Sequence, residues 1–326
     1  MKAVVLHSYG GPEVLTISDI PSPACGAEEI LVAVAATALN RADLLQRMGM
    51  YPNPFPGGPE IPGLEFAGTV KAVGERVTAW KIGDAVMGVV SGGGYAEEIT
   101  LHERQALAVP SGISVNDAAA IPEVFITAWD ALVVQGGLTS GRWALVHAGA
   151  SGVGTAGIQI AKAIGARIIV TCSAGKVNSC KELGADVVVD YGSQDFVEEV
   201  KKATGGKGVD VVLDVIGGEY VERNVASLAV KGRIIQVGTM AGKPLPFNVG
   251  LLLAKRASIT GTVLRARPIE EKIAITQRFA AEVLPLFETG ALRPVIDSRY
   301  VFSDIAQAHE YMQSNGNVGK ILVDIA

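Results

Sequence analysis

Residues Trp143-Ala-Leu-Val146-His-Ala-Gly149-Ala-Ser-Gly152-Val-Gly154, followed by Thr155 to Ile164, decide how the rest of the chain is interpreted. Ala144, Leu145, Val146 and Ala148 have the length and apolarity of a buried parallel strand, and the glycine cluster after them predicts a tight turn. Apolar residues at Ile158, Ala161 and Ile164 repeat at helical spacing. The stretch therefore predicts a strand, a glycine-rich loop and a helix in direct succession.

The glycines of this loop are typical of a pyrophosphate site, where they allow a tight turn, a close approach of the backbone and close helix packing. The helix N-terminus would add free N–H groups. Two registers are open. Gly152, Gly154 and Gly157 match G-x-G-x-x-G literally, but Gly149, Ser151 and Gly154 begin where the strand ends, so we prefer the second register. For the motif alone, a glycine-rich turn that binds nothing is the alternative.

The chain downstream repeats the pattern of strand and helix. Five further apolar runs predict strands, at 167–173, 186–190, 209–215, 232–238 and 257–263. The segments between them, around Cys180, Val200, Val225 and Leu252, are typical of helices. Alternating strands and helices predict an α/β fold, a doubly wound parallel sheet that binds a dinucleotide at the carboxyl ends of its strands.

The end of the second strand of this sheet indicates which dinucleotide is bound. An NAD site usually has an Asp or Glu there, about 20 residues beyond the glycines, on the ribose hydroxyls. This chain has Cys172, Ser173 and Lys176 in that region, and the first acidic residue after the strand is Glu182. A hydroxyl and an ammonium suit a 2′-phosphate, so the pattern favours NADP. A solvated surface role is the ordinary alternative for Lys176.

Composition excludes several classes of protein. The 326 residues carry a net charge of −5, and 49% of them are apolar and 19% charged, which is enough apolar material for two domains. Acidic charge without a basic cluster argues against nucleic acid and anionic membranes as partners. The longest apolar run, 30–39, is too short to span a bilayer, and the N-terminus carries no cleavage signal, so we expect a cytoplasmic protein. The three cysteines and four histidines show no metal spacing.

The residues outside the nucleotide-binding half differ in pattern. Residues 1–122 predict a mostly-β domain of short strands, 123–266 the nucleotide-binding domain, and 267–326 a return to the first domain. A short helix at Arg41 to Arg47 precedes a proline-rich segment, residues 50–62, which predicts a stiff surface loop of the kind that often binds ligands.

Several ordered motifs resemble the medium-chain dehydrogenase/reductase superfamily. They include Gly63-Leu-Glu-Phe-Ala-Gly68, Trp80-Lys-Ile-Gly-Asp84, His147-Ala-Gly-Ala-Ser-Gly-Val-Gly154 and Asn317-Val-Gly-Lys320, and the resemblance spans essentially the whole chain. The chain is most similar to zinc-free zeta-crystallin-like quinone oxidoreductases, in particular their tumour-suppressor-inducible subgroup. This resemblance implies a GroES-like catalytic domain with a Rossmann domain inserted into it.

The resemblance also bears on metal. Zinc-dependent relatives hold their catalytic metal with Cys, His and Cys or Asp, and the matching positions here are Asn40, Leu64 and Glu123. Asn and Leu cannot replace a thiolate and an imidazole, so we expect no metal. The remaining chemistry is the delivery of a hydride by NADPH to an acceptor that needs little activation, such as a quinone.

By similarity, Asn40, Asp43 and Tyr51 surround the nicotinamide and the substrate. Helix capping by Asn40 and Asp43, and simple packing of Tyr51, are the alternatives. The residues implied for NADP binding are Thr127, Ser151, Gly152, Val153, Ser173, Lys176, Tyr191, Ile216, Gly238, Thr239, Leu264, Arg265 and Asn317. For Arg265, an ordinary surface charge is the alternative.

The sequence therefore predicts an NADPH:quinone oxidoreductase that needs no zinc and acts on a quinone or another conjugated carbonyl compound. Reduction of the carbon–carbon double bond of an alkenal or enone is an alternative that the sequence leaves open. A nucleotide-binding protein with a structural or RNA-binding role is a second alternative, which the acidic charge disfavours. The apolar run 257–263 predicts an edge strand, and the resemblance implies that it pairs with its copy in a homodimer.

Overall fold

The computed structural model describes residues 1–54, 57–242 and 246–325. These residues form two compact units, Met1–Ile126 with Leu264–Ala326, and Thr127–Val263. The sequence placed the two boundaries after residues 122 and 266. Phe55 and Pro56 of the proline-rich segment lie outside the described residues.

The strands are numbered in chain order. They are β1 (Lys2–Val5), β2 (Thr16–Asp19), β3 (Glu29–Ala38), β4 (Glu65–Val73), β5 (Ala85–Val89), β6 (Glu98–His102), β7 (Leu107–Ala108), β8 (Trp143–Val146), β9 (Arg167–Cys172), β10 (Val187–Asp190), β11 (Val209–Asp214), β12 (Leu228–Gln236), β13 (Ser258–Gly261), β14 (Ile296–Val301) and β15 (Lys320–Asp324).

The α-helices are numbered in the same way. They are α1 (Arg41–Arg47), α2 (Val115–Ala118), α3 (Pro122–Trp129), α4 (Gly152–Ala163), α5 (Val177–Glu182), α6 (Phe196–Ala203), α7 (Tyr220–Ser227), α8 (Leu251–Lys255), α9 (Ile269–Glu282), α10 (Leu284–Glu288) and α11 (Ile305–Gln313). None of the helices in the described part of the chain combines the length and apolarity needed to cross a bilayer.

The first unit is built on a sheet with the order β14-β15-β3-β4-β5-β7, in which β6 also pairs with β3. All of these pairs are antiparallel except β14 with β15. The strand from the C-terminal segment, β15, pairs with β3 over Ala36 to Ala38, so the end of the chain completes the first sheet. Two apolar cores flank this sheet, one of them around Leu44, Tyr95 and Met312.

The second unit is a six-stranded parallel sheet with the order β10-β9-β8-β11-β12-β13. Numbered from its own first strand, this is the order 3-2-1-4-5-6 of dinucleotide-binding sheets. Its strands are buried because helices cover them, and the core gathers Leu145, Ile169, Val212 and Ile234. The predicted fold class, a doubly wound parallel sheet inserted into a mostly-β GroES-like domain, is confirmed.

Two helical segments are irregular. α9 ends before Val283 and α10 begins after it, where Pro285 has no backbone N–H to donate. After α3 the chain continues in π-helical geometry at Asp130–Gln135. Strand β2 pairs with β1 in a separate two-stranded sheet.

Candidate active site

The glycine loop of the second unit joins β8 to α4. Ser151 is the N-cap of α4, and its Oγ accepts a hydrogen bond from the Gly154 N–H at 3.0 Å. The first amide groups of a helix have no acceptor within it, so this end of α4 presents donors and a positive dipole end. The strand–loop–helix arrangement expected from the sequence is present.

Two glycines of this loop have no room for a side chain. A Cβ at Gly149 would lie 2.6 Å from the Val170 Cβ, and one at Gly154 would lie 2.3 Å from the Ala148 carbonyl oxygen. A Cβ at Gly157 would meet its nearest atom at an ordinary 3.5 Å. Gly149 therefore requires glycine and Gly157 does not, which favours the register that starts at Gly149, and the close backbone packing suits an approaching pyrophosphate.

The other residues predicted for NADP in this unit lie just beyond the strand ends. Ser173 follows β9, Tyr191 follows β10, Ile216 follows β11, and Gly238 and Thr239 follow β12. The carboxyl ends of the strands of a parallel sheet share one edge, which is the ligand-binding edge of this fold. Ser173 and Lys176 are half-buried on the turn between β9 and α5. The chain's own geometry thus fits a dinucleotide along this edge.

In the first unit, the predicted residue Asn40 belongs to a buried polar cluster. Its Nδ2 donates to Glu65 Oε1 at 2.9 Å and to the Ala38 carbonyl at 3.3 Å. The Lys320 ammonium donates to Asn40 Oδ1 at 2.7 Å and forms an ion pair with Glu65 Oε1 at 2.7 Å. Both amide hydrogens of Asn40 are therefore engaged, and Lys320 and Glu65 fix its orientation.

Asp43, in the first turn of α1, is fully buried, whereas Asn40 is half-buried. Its Oδ2 accepts the Asn40 N–H at 2.7 Å and the Tyr95 hydroxyl at 3.0 Å, and its Oδ1 accepts the Gly63 N–H at 3.3 Å. Burial raises the pKa of the Asp43 carboxyl to about 6, although these hydrogen bonds and Lys320 oppose the increase. The capping role that the sequence offered as an alternative for Asp43 is therefore present.

The third predicted residue, Tyr51, is packed against Arg265. The guanidinium lies 4.9 Å from the centre of the Tyr51 ring, and its Nη1 donates to the Tyr51 carbonyl at 3.1 Å. The remaining nitrogens of Arg265 donate to Ser91 O at 2.7 Å and to Gln46 Oε1 at 2.9 Å. Arg265 is 3% exposed, so it is not an ordinary surface charge. It joins the Tyr51 loop to α1, and its assignment to the cofactor stays a prediction.

Three further residues predicted for the cofactor are buried. Thr127 lies in α3, Leu264 begins the last segment of the first unit, and Asn317 precedes β15. The Asn317 Nδ2 donates to the Gly319 carbonyl at 2.7 Å. The structure brings Asn40 together with Asp43, and Tyr51 together with Arg265. The binding roles of all the predicted residues stay predictions.

A zinc ion does not fit the residues at the positions that correspond to metal ligands. The amide of Asn40 is occupied and Leu64 offers no donor atom, so of these three positions only Glu123 carries a carboxylate that could bind a metal, and a single carboxylate does not make a zinc site. The buried ammonium of Lys320 lies where a dication would be repelled. Among the residues that the structure describes, no group of three or more His, Cys, Asp or Glu side chains could hold a metal.

The sequence interpretation missed the partners of these residues. Glu65, Tyr95, His309 and Lys320 are all buried, and they fix Asn40 and Asp43. Lys320 carried the clearest signal, since it directly precedes the apolar residues of a strand, and a buried lysine needs an acceptor.

Comparison with known proteins agrees with this architecture. A family model for the alcohol dehydrogenase GroES-like domain matches residues 26–111, and one for zinc-binding dehydrogenases matches residues 152–283. The quinone oxidoreductase of Lama guanicoe is 34% identical over 99% of this chain and 97% of its own length. The human synaptic vesicle membrane protein VAT-1 homolog is 32% identical over 99% of this chain and 86% of its own length.

Solved structures give the same result. The Escherichia coli quinone oxidoreductase complexed with NADPH superimposes with a TM-score of 0.90 at 30% identity, and the match covers 100% of both chains. The CurK enoyl reductase also superimposes with a TM-score of 0.90, at 29% identity, over 100% of this chain and 99% of its own. The NADPH complex supports NADP as the cofactor that the sequence predicts. The chain belongs to the medium-chain dehydrogenase/reductase superfamily of oxidoreductases.

Proposed function

We propose that this protein is an NADPH-dependent reductase that transfers a hydride to quinones without a metal. The observation that carries the proposal is the Lys320–Glu65–Asn40 cluster, which contains Asn40, one of the three positions that match metal ligands in zinc-dependent relatives, and which is hydrogen-bonded to Glu123, another of them. An ammonium there is incompatible with a Lewis-acidic dication, and quinones are acceptors that need little activation. The 34% identity to a quinone oxidoreductase supports the same substrate class.

The second unit would bind NADPH, which supplies the hydride when bound. The first amide groups of α4, at Gly152 and Val153, would face the pyrophosphate. Ser173 and Lys176 would hold the 2′-phosphate, because a hydroxyl and an ammonium are the donors that a phosphate accepts. The residues after β11 and β12, including Ile216 and Thr239, would line the rest of the carboxyl edge.

In the first unit, Tyr51 is the residue that would contact the acceptor. Asp43 is fully buried and bonded to three groups, and both amide hydrogens of Asn40 are engaged, so these two residues would act by holding the start of α1 in place. The Tyr51 ring is supported from one side by Arg265, and it would stack on a planar acceptor while its hydroxyl donates to a carbonyl oxygen.

Reduction of an enone or alkenal is a second candidate, because a hydride site without metal serves either acceptor and an enoyl reductase has the same fold. Kinetics of NADPH oxidation with a panel of quinones and conjugated enones would separate the two. We expect the quinones to be turned over with the higher kcat/KM. Turnover of the enones alone would favour the second candidate, and no turnover of any acceptor would favour a binding protein with little activity.

Three properties accompany the proposal. Activity should survive prolonged chelation, and elemental analysis should find no stoichiometric zinc; one zinc per chain would overturn the mechanism.

We also propose a homodimer, since β13 pairs with β12 and with no other strand of the described residues. Sedimentation that gives only monomer at micromolar concentration would contradict it. Finally, we propose that the enzyme is cytoplasmic.

A further inference from the structure

A chain of buried side chains connects the glycine loop of the second unit to the loop that follows β11. It starts at His147, which is 1% exposed and directly follows β8. The Nε2 of its ring lies 2.7 Å from Asn224 Oδ1, and Asn224 Nδ2 donates to Asp214 Oδ2 at 2.9 Å. Asp214 ends β11, and its Oδ1 accepts the N–H groups of Ile216 at 2.6 Å and Gly217 at 3.0 Å.

The chemistry of these side chains fixes which group donates and which accepts in each hydrogen bond of the series. The carboxylate of Asp214 accepts, so the Asn224 side chain must turn its NH₂ group towards Asp214 and its carbonyl oxygen towards His147. The Nε2 of His147 must then carry a proton. Its Nδ1, 3.0 Å from Thr171 Oγ1, accepts from that hydroxyl. Burial lowers the pKa of His147, so the ring is neutral and held in this single tautomer.

The hydrogen-bonded series continues beyond Asp214 into the loop that follows β11 and on to the loop after β12. Gly217 has φ +68°, a left-handed conformation that the Asp214 carboxylate holds through the amide groups of the turn. The carbonyls of Val215 and Ile216 accept the N–H groups of Met240 at 3.1 Å and Ala241 at 2.9 Å. One hydrogen-bonded series therefore joins the loops after β8, β11 and β12 along the carboxyl edge of the sheet.

We infer that His147, Asn224 and Asp214 are positioning residues for the nicotinamide half of the cofactor, an inference that rests on the proposed function. A dinucleotide lies across the two halves of such a sheet. The proposed 2′-phosphate site, after β9, assigns the adenosine half to β8–β10. The loops after β11 and β12 serve the other half, and Asp214 holds the first of these loops through the N–H groups of Ile216 and Gly217.

The test compares two ligands on the full chain by calorimetry. NADPH engages both halves, whereas adenosine 2′,5′-bisphosphate is the adenosine half alone. Asn224→Leu removes the middle link of this hydrogen-bonded series, so that the loops after β11 and β12 must be ordered when NADPH binds. NADPH should then bind about tenfold more weakly, if this ordering costs as much as one hydrogen bond to a charged group, while the bisphosphate Kd changes by less than about twofold. His147→Gln keeps an amide N–H that can donate to Asn224, so it should bind NADPH more tightly than His147→Phe, which has no donor.

Loss of stability is controlled separately. Val200→Ala truncates a fully buried core residue of the same unit, on α6, and should lower Tm without changing the ratio of the two Kd values. Should Asn224→Leu fail to fold, Thr171→Val, which removes only the hydroxyl bonded to Nδ1, takes its place with the same expected direction. An unchanged ratio in Asn224→Leu or its replacement would overturn the inference. A native protein that binds neither ligand would overturn the proposed function, and this inference with it.

Discussion

The Tyr95 hydroxyl lies 3.0 Å from Asp43 Oδ2 and 3.1 Å from His309 Nε2. All three side chains are fully buried in the first unit. The hydroxyl donates to the carboxylate and accepts from the imidazole, so it joins an acid and a base that have no contact with water. Burial lowers the pKa of His309 to about 3 and raises that of Asp43 to about 6.

The first prediction concerns the pH dependence of stability. The folded pKa of His309 is depressed, so its contribution is present above pH 6.5 and is lost as the pH falls towards 3. The folded pKa of Asp43 is raised, so its contribution is present below pH 3.8 and is lost as the pH rises through about 6. Between about pH 4 and 6 the two slopes, each at most about 1.4 kcal/mol per pH unit, oppose each other.

Two variants should separate these contributions. Relative to the native protein, His309→Gln should gain stability as the pH is lowered from 6.5 to 4, and Asp43→Asn should lose stability over the same range. Urea unfolding at pH 4, 5, 6 and 7 measures both. Parallel stability curves for all three proteins would show that neither group titrates abnormally.

The second prediction concerns the buried ion pair of Lys320 and Glu65, whose side chains are 3% and 0% exposed. Lys320→Met leaves the Glu65 carboxylate without its counter-charge and should cost about 3–5 kcal/mol of unfolding free energy. The double variant Lys320→Met/Glu65→Gln should cost less than the sum of the two single changes, because the stranded charge is then removed.

A surface pair provides the matched control. Arg278 and Glu282 form an ion pair on α9 with side chains 48% and 45% exposed, so Arg278→Met should cost no more than about 0.5 kcal/mol. Equal losses for Arg278→Met and Lys320→Met would contradict the role given to the buried pair.

The sequence predicted the features that depend on neighbouring residues. The β8–loop–α4 unit, the alternation of strands and helices and the cap at Asp43 are all local patterns. By contrast, Tyr95 and His309 are 214 residues apart, and Arg265 is 219 residues from Gln46. No periodicity or motif encodes such pairs, because the antiparallel sheet that brings the two ends of the chain together decides them. The sequence therefore identified Asn40 and Asp43 as candidates but did not identify the distant residues that hydrogen-bond to them.

The third prediction concerns the choice of cofactor. Lys176→Ala should weaken NADPH by roughly tenfold or more and leave NADH unchanged, since a charge-assisted contact to phosphate contributes about 1.5–3 kcal/mol. Lys181→Ala, an exposed lysine on the adjacent helix α5, is the control and should change neither affinity. Calorimetric titration with both cofactors measures the effect. Equal affinities of the native protein for NADPH and NADH would remove the basis for NADP.

The last prediction tests whether Tyr51 acts on the acceptor or only packs on Arg265. Tyr51→Phe keeps the ring over the guanidinium and loses one hydroxyl, so Tm should stay the same. If the hydroxyl donates to the acceptor, kcat/KM should fall by at most about tenfold. Tyr51→Ala also loses the ring. Its unfolding free energy should fall by about 0.5–1 kcal/mol for the lost cation–π contact, and its kcat/KM should fall well beyond that of Tyr51→Phe.

Arg265→Met tests whether Arg265 acts by holding Tyr51 in position. It removes the hydrogen bonds from Arg265 to the Tyr51 loop and to Gln46, while the Tyr51 ring itself is retained. If Tyr51 acts on the acceptor from a fixed position, Arg265→Met should lower kcat/KM, and adding Tyr51→Phe to it should lower kcat/KM by less than Tyr51→Phe does in the native protein. A Tyr51 hydroxyl that is no longer held in position contributes less to kcat/KM, so its removal costs less. If Tyr51 only packs, Tyr51→Ala should lower Tm while the folded fraction keeps the native kcat/KM, and that result would exclude Tyr51 from the acceptor site.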